Sequence, residues 1–540
     1  MPTIPETQGV TRCESPAPLM EPRTTSRDEM WRSSPTSLKL AKKSDIIYTD
    51  VVIIGNGPSG ITLSYLLSGH WPYYNGGSLS DKYLQMRLQE DQQKSLVEQD
   101  LEYLSNNLEG RSNNPVAVLF DVLTHPDADV GIEETSLLEW KHHPERAIEH
   151  VVLGKSGIGG AWQMMDLVQM QTLSLGNWME LPDLSFNEWL LSYKNRQKNS
   201  EDGDSNLSVS ERACMLDVRN YYVAYVKEMQ LTQYFHVGST VTSVERVLDV
   251  CHPVDADSGE QDPCTREHHG KFKWEVRGYE HLVSDGDHIE TREFCYRAPN
   301  VVMATGTFDK PNHMGVPGEN FPYILHSLRE VERMYELGKL SSKSDPLVII
   351  GAGLSAADAI LYTQQHHLPV VHVFRCDIED PDLIVRKLPP VLYPEYHEVY
   401  NMMRDGATPD TQDTYQRYSR HSVTEFKADG KVLIRSSESL FDTIIEASFA
   451  LVLVGYRPDL SYLPQDGQTF GVRQEGPIDS KHNPVAIDQL TFECQHEPGL
   501  YAMGPLVGDN FVRFLRGGAL AITSHLWWKR QPKNDEYNDG

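Results

Sequence analysis

Residues 51–60 read VVIIGNGPSG, and residues 347–356 read LVIIGAGLSA. Each is a short run of β-branched and apolar residues, which suits a strand buried on both faces of a parallel sheet. Each runs straight into a glycine-rich turn and then a helix-forming stretch, ITLSYLLSG after the first and ADAILYTQQ after the second. Strand, glycine turn and helix in that order make the setting in which GxGxxG or GxGxxA holds a dinucleotide. Gly55 and Gly351 permit the tight turn. Gly57 and Gly353 let the backbone approach a pyrophosphate at the helix N-terminus. Gly60 and Ala356 let helix and strand pack closely. Pro58, Ser59 and Ser355 complete the two turns.

Further strands with glycine turns flank these two. EHVVLGK (149–155) leads into SGIGGAW, RAPNVVMATGTF (297–308) ends in a glycine turn, and VVHVFR (370–375) follows the second helix. FALVLVGYRPD (449–459) and GLYAMGPLVGDNFVRFLRGGALAITSHLWW (499–528) repeat the theme. The alternation predicts an α/β fold: two nested doubly wound, Rossmann-like dinucleotide-binding domains of the FAD/NAD(P)-binding type, with a partly helical insertion. Residues 46–74, 148–340 and 440–530 form the discontinuous FAD-binding domain, and 341–439 the NADPH-binding domain. Residues 75–147, with NN, GRSNNP and HPDAD turn signals, read as a polar insertion placed to cap the FAD site or to dock a partner. Residues 1–45 and 531–540 read as disordered tails, and 195–210 and 250–270 as exposed loops.

Composition narrows the function. The 540 residues carry a formal net charge of -28, which disfavours nucleic acid and anionic membranes as partners. No run approaches the ~20 apolar residues of a membrane span, and no secretory signal is evident. The seven cysteines include no CxxC pair, so zinc and dithiol motifs are unsupported. The three His-His pairs (142–143, 268–269, 366–367) are sequence neighbours whose side chains diverge, and no metal site is expected. These features suit a soluble, intracellular protein of the cytoplasm or nucleus.

One fingerprint suggests any dehydrogenase. Two in one chain suggest hydride passing from a nicotinamide to a flavin. Arg375, at the end of the strand after the second turn, is placed to clamp a 2′-phosphate and so to favour NADPH over NADH. The nearest acid, Asp377, lies two residues later.

At this point the chain resembles a known group. The stretches SLLEWKHHPERAIEHVVLGKSGIGGAW (136–162), DPLVIIGAGLSAADAILY (345–362), LPPVLYPEYHEV (388–399) and GLYAMGPLVGDNFVRFLRGGALA (499–521) are similar to the oxidative-stress-induced growth inhibitor family, a relative of the flavin-dependent monooxygenases. The resemblance spans about residues 48–528. It implies that Gly55, Gly57 and Gly60 hold FAD pyrophosphate, and that Gly159, Gly160 and Trp162 form the monooxygenases' GGxW loop beside the flavin. It further implies that Ala304, Thr305 and Gly306 are their ATG strand end, and that Gly351, Gly353, Ser355, Ala356 and Arg375 hold NADPH. Gly508 and Asp509 resemble the C-terminal glycine-aspartate turn near the flavin.

The pattern also departs from those enzymes. The second-strand glutamate that binds the FAD ribose is replaced by Gly154. ENFPYILHS keeps the signature histidine as His326 but has Asn320 and Pro322 at the Phe and Gly positions. The flavin-proximal asparagine falls by spacing on Leu173, with Asn177 the nearest amide. Leu453-Val454-Gly455 stands for the second ATG.

Three readings follow. The first is an NADPH-dependent FAD monooxygenase acting with O2 on a small molecule. The second is a growth regulator that kept the fold and lost turnover, working through a protein partner. The third is an NADPH oxidase or flavin reductase that makes peroxide.

Overall fold

The computed structural model describes residues 46–132, 134–163, 170–197, 212–247, 274–284, 288–406, 414–474 and 476–531. The tails expected at 1–45 and 531–540 and the loops expected at 195–210 and 250–270 lie almost wholly outside these residues. The chain divides into two units. The first comprises Met1–Thr307 and Pro458–Gly540, and the second Phe308–Arg457.

The first unit is organised by a five-stranded parallel sheet. Its order is Leu500–Ala502, Asn300–Met303, Val51–Ile54, His150–Gly154, Phe235–Val237. All four residues of the central strand are buried, as an apolar strand covered on both faces must be. A separate short strand, Ile46–Tyr48, precedes it across Thr49–Asp50. Ile46–Tyr48 pairs in parallel with His288–Ala298, at the edge of a mixed sheet in which His288–Ala298, Trp274–Ser284 and Ser239–Arg246 run antiparallel.

The second unit repeats the plan. Its parallel sheet has the order Ile324–Leu325, Phe449–Val452, Leu347–Ile350, Val370–Phe374, Tyr415–Ser419. In both sheets the strand that feeds the glycine turn is central, with the sheet's next strand in sequence on one side and a later strand on the other. A small antiparallel sheet, His421–Phe426, Lys431–Ser436 and Asp442–Glu446, completes the unit.

This differs from the boundaries expected at 341 and 439. Phe449–Val452 pairs with Leu347–Ile350 in register Leu347↔Phe449, and Ile324–Leu325 pairs with it in turn. The central strand needs a hydrogen-bonded neighbour on each edge, so both flanking segments belong to the second unit rather than the first.

The insertion also differs from its polar reading. It leaves and returns through an antiparallel ribbon, His70–Tyr74 against Leu138–His142. Inside it, helix Pro115–Thr124 buries Val116, Ala117, Val118, Leu119, Phe120 and Leu123. This helix packs on the C-terminal helix Val512–Arg530 so closely that a Cβ on Gly517 would stand 2.3 Å from Ala117 Cα. Arg513 on the C-terminal helix, 3% exposed, donates through Nε to Asp121 (2.8 Å) and through Nη1 to Asp129 (3.2 Å). The fork geometry and the second charge offset the desolvation of a buried pair. The insertion is therefore part of the first unit's core. Among the described residues no helix is long and apolar enough to cross a membrane.

Candidate functional site

The first turn links Val51–Ile54 to helix Pro58–Leu67. Gly55 has φ +119, and its N–H donates to Leu153 O (2.8 Å) on the neighbouring strand. A Cβ there would stand 2.3 Å from Ala304 O, and one on Gly60 would stand 2.0 Å from Gly55 O. Both positions admit only glycine, one by conformation and close approach, the other by packing. A Cβ on Gly57 meets nothing nearer than Gly159 O at 3.8 Å. The helix it opens has no side-chain cap and no acid in its first turn. Its N-terminal amides and the positive end of its dipole are left for an anion.

The second turn copies the construction. Gly351 has φ +135, its N–H donates to Val373 O (3.0 Å), and a Cβ would stand 2.3 Å from Leu453 O. Gly353 faces open space, and helix Leu354–Gln365 has no side-chain cap and no acid in its first turn. Gly353 and Ser355 are exposed and Ala356 is buried. Beneath the turn lies fully buried His372. Its Nε2 donates to the Gly351 carbonyl (2.7 Å), and its Nδ1 accepts from Tyr415 OH (2.9 Å). Burial lowers its pKa to about 4, so the neutral ring is held in one tautomer. Arg375 is exposed at the end of the same strand. Asp377, the acid that could compete for a ribose, pairs instead with Arg420 (3.6 Å), which also pairs with Glu438.

In the first unit the predicted residues converge. Gly159 N–H donates to Asn56 O (2.9 Å), and the Gly159–Gly160 loop lies over Gly57. Trp162 meets Tyr222 edge to face, with centroids 5.9 Å apart. Tyr222 OH donates to Met179 O (3.1 Å), the end of the single turn Gly176–Met179 that carries Asn177. One helix, Met215–Glu228, thus supports both the GGAW loop and the Asn177 turn. Asn177 Oδ1 and Thr305 Oγ1 are buried without a hydrogen-bond partner. A buried polar atom left unpaired costs roughly 1–3 kcal/mol, and a ligand would relieve it. Gly306 has φ +70 and open space around a notional Cβ. Leu173, the position that spacing assigned to the flavin-proximal amide, carries none.

Two features went unread in the sequence. A Cβ on Gly154 would stand 2.1 Å from the Asn56 amide. Asn56, 3% exposed, fills the place of the missing ribose acid, and its Nδ2 donates to Ser156 O (2.7 Å) and Gly157 O (3.1 Å). The diphosphate end of FAD therefore fits this cradle, while its ribose meets no carboxylate from residue 154. Asp509, expected beside the flavin, has both carboxylate oxygens engaged by the insertion: Ser112 Oγ (2.6 Å) and Asn114 Nδ2 (2.9 Å) donate to it. Burial pushes it up to about 7 despite these bonds. Gly508, with φ +94, ends the short helix before it.

Comparison with known proteins gives three findings. A family model described as pyridine nucleotide-disulphide oxidoreductase matches residues 272–504. The bacillithiol disulfide reductase Bdr from Staphylococcus aureus superposes with a TM-score of 0.51 at 14% identity, covering 90% of this chain and 100% of that one, a likeness of fold. Two human proteins are much nearer in sequence. Oxidative stress-induced growth inhibitor 2 is 44% identical over 494 residues, 90% of this chain and 94% of that one. Oxidative stress-induced growth inhibitor 1 is 42% identical over 486 residues, 89% and 96%. The architecture is the FAD/NAD(P)-binding Rossmann type of the flavoprotein oxidoreductases, and the chain belongs to the oxidative stress-induced growth inhibitor family.

Proposed function

We propose that this protein is an FAD-containing, NADPH-dependent oxidoreductase of monooxygenase type, acting with O2 on a small molecule in growth restraint under oxidative stress. The observation that carries the reading is the duplicated turn. Gly55–Gly60 and Gly351–Ala356 share the positive φ, the close strand contact and the uncapped helix start. A chain needs two such cradles only if two dinucleotides work together.

FAD, when bound, supplies the electron relay between NADPH and O2. The amides around Gly57, Ser59 and Gly60 would hold its diphosphate, with the Gly159–Gly160 loop packed over the turn. Asn177 Oδ1, buried and unpaired, would accept a hydrogen bond from the bound group, and Thr305 Oγ1 would accept or donate one. The apolar packing around Trp162 and Tyr222 would keep water from the reacting end. Gly353 and Ser355 would receive the NADPH diphosphate, and Arg375 the 2′-phosphate.

The test is anaerobic reduction of the FAD-loaded protein. NADPH should bleach the flavin, and readmitted O2 should yield oxygenated product in excess of peroxide. Failure of NADPH to bleach bound flavin would overturn the reading. The oxidase reading is favoured by Leu173 at the amide position and by Gly154, since both remove polar contacts to a flavin. It predicts one peroxide per NADPH with every substrate offered.

A further inference from the structure

Three metal-ligating side chains of the second unit meet outside the nucleotide turn. His313 and Glu319 lie before strand Ile324–Leu325, and His326 follows it directly. One ligand atom from each falls within 4.8 Å of the other two. Glu319 and His326 bound the ENFPYILHS segment, whose resemblance gives the histidine no metal role, and the spacing of the three residues resembles no metal signature.

The geometry suits a small, borderline-soft cation. His313 Nδ1 stands 3.4 Å from Glu319 Oε1. Two ligands each ~2.1 Å from a tetrahedral zinc ion are separated by about 3.4 Å. Groups that aim the ligands are already in place. Glu319 is 6% exposed, and its oxygens accept the N–H groups of Met314 and Gly315 at 2.8 Å each. These bonds aim the carboxylate and leave each oxygen a further lone pair. His326 Nδ1 is buried without a hydrogen-bond partner, which leaves it to present a lone pair to an ion. Tyr456 OH donates to His326 O (2.9 Å) and fixes the backbone. A plain ion pair between His313 and Glu319 would leave Nδ1 of His326 with no role.

We propose that His313, Glu319 and His326 bind a divalent transition cation of the zinc class. Two imidazoles and one carboxylate fill three positions. Water fills the fourth on the side of His313, which is half exposed. The ion clips the loop at 313–319 to the end of strand Ile324–Leu325. The inference stands apart from flavin binding and survives its failure.

The experiment titrates the full chain, stripped with chelator and kept reduced because of its seven cysteines, with Zn2+ by calorimetry. Glu319 also organises its own loop, so the deciding variant is His313→Ala. A Co2+ titration reads the geometry from its visible bands. Expected are one Zn2+ site weakened at least ~10-fold in His313→Ala, four-coordinate Co2+ bands only in the wild type, and a zinc-dependent rise in melting temperature lost in the variant. No uptake by the wild type, or equal stoichiometry and affinity in the two proteins, would overturn the proposal.

Discussion

The two nucleotide turns are built alike as far as their second glycine and diverge after it. In the first unit, every residue of helix Pro58–Leu67 from Ser59 onward is buried. The C-terminal helix packs on it, and the GGAW loop covers its start. In the second unit, Gly353 and Ser355 are exposed, and nothing stands within 4 Å of a Cβ on Gly353. One backbone device thus serves two ends. On the proposed reading, the enclosed cradle would hold a cofactor that stays, and the open one would admit a nucleotide that comes and goes. The supports differ in the same sense. Both turns are braced by neighbouring backbone; to this the first adds Asn56, and the second one neutral histidine under Gly351.

Substitutions can break or sharpen this contrast. The largest effect should come from Gly60→Ala, whose Cβ would meet backbone oxygen at 2.0 Å. Loss of about 3 kcal/mol or more is expected in chemical unfolding, whereas Gly353→Ala should leave the unfolding curve unchanged and weaken only NADPH binding. Asp121→Ala comes next. It strands Arg513 in the interface that closes the first unit, and should cost about 3 kcal/mol, read by the same unfolding assay.

A smaller loss is expected from Gly154→Glu, whose side chain collides with Asn56. Adding Asn56→Gly should restore stability and raise FAD affinity above wild type. If the single variant already binds FAD more tightly, Asn56 does not occupy the acid's place.

The second unit should show its own pH dependence. The folded pKa of His372 lies at about 4 against 6.5 for the free side chain. A depressed value means that protons favour the unfolded chain. The contribution is therefore full above pH 6.5 and is lost as pH falls toward 4. At pH 5 the loss is about 2 kcal/mol, and His372→Gln should flatten that part of the melting profile. The mildest effect is selective. Arg375→Glu should weaken NADPH about 10-fold and leave NADH unchanged in a binding titration; equal weakening would remove the 2′-phosphate role.

Both turns were legible because their signal is local: an apolar strand, glycines at fixed offsets, a helix. What escaped depended on contacts between distant segments. FALV at 449–452 looks like any buried strand, and only its pairing with Leu347–Ile350 assigns it to the second sheet. PVAVLFDVL was masked by the polar turns around it, though its apolar residues face the C-terminal helix. The absence of an acid at Gly154 could be read, but not that Asn56, 98 positions earlier, fills the gap. Asp509 was readable as a turn residue, while its partners Ser112 and Asn114 lie almost 400 residues away. The meeting of His313, Glu319 and His326 depends on where strand Ile324–Leu325 ends, which the sequence does not mark.

The asymmetry between the cradles is tested most directly by nucleotide retention. The protein is loaded with FAD and NADPH together, desalted, and assayed for each nucleotide per chain. Retention of close to one FAD with loss of NADPH is the predicted result. Loss of both at similar rates, or retention of NADPH alone, would contradict it.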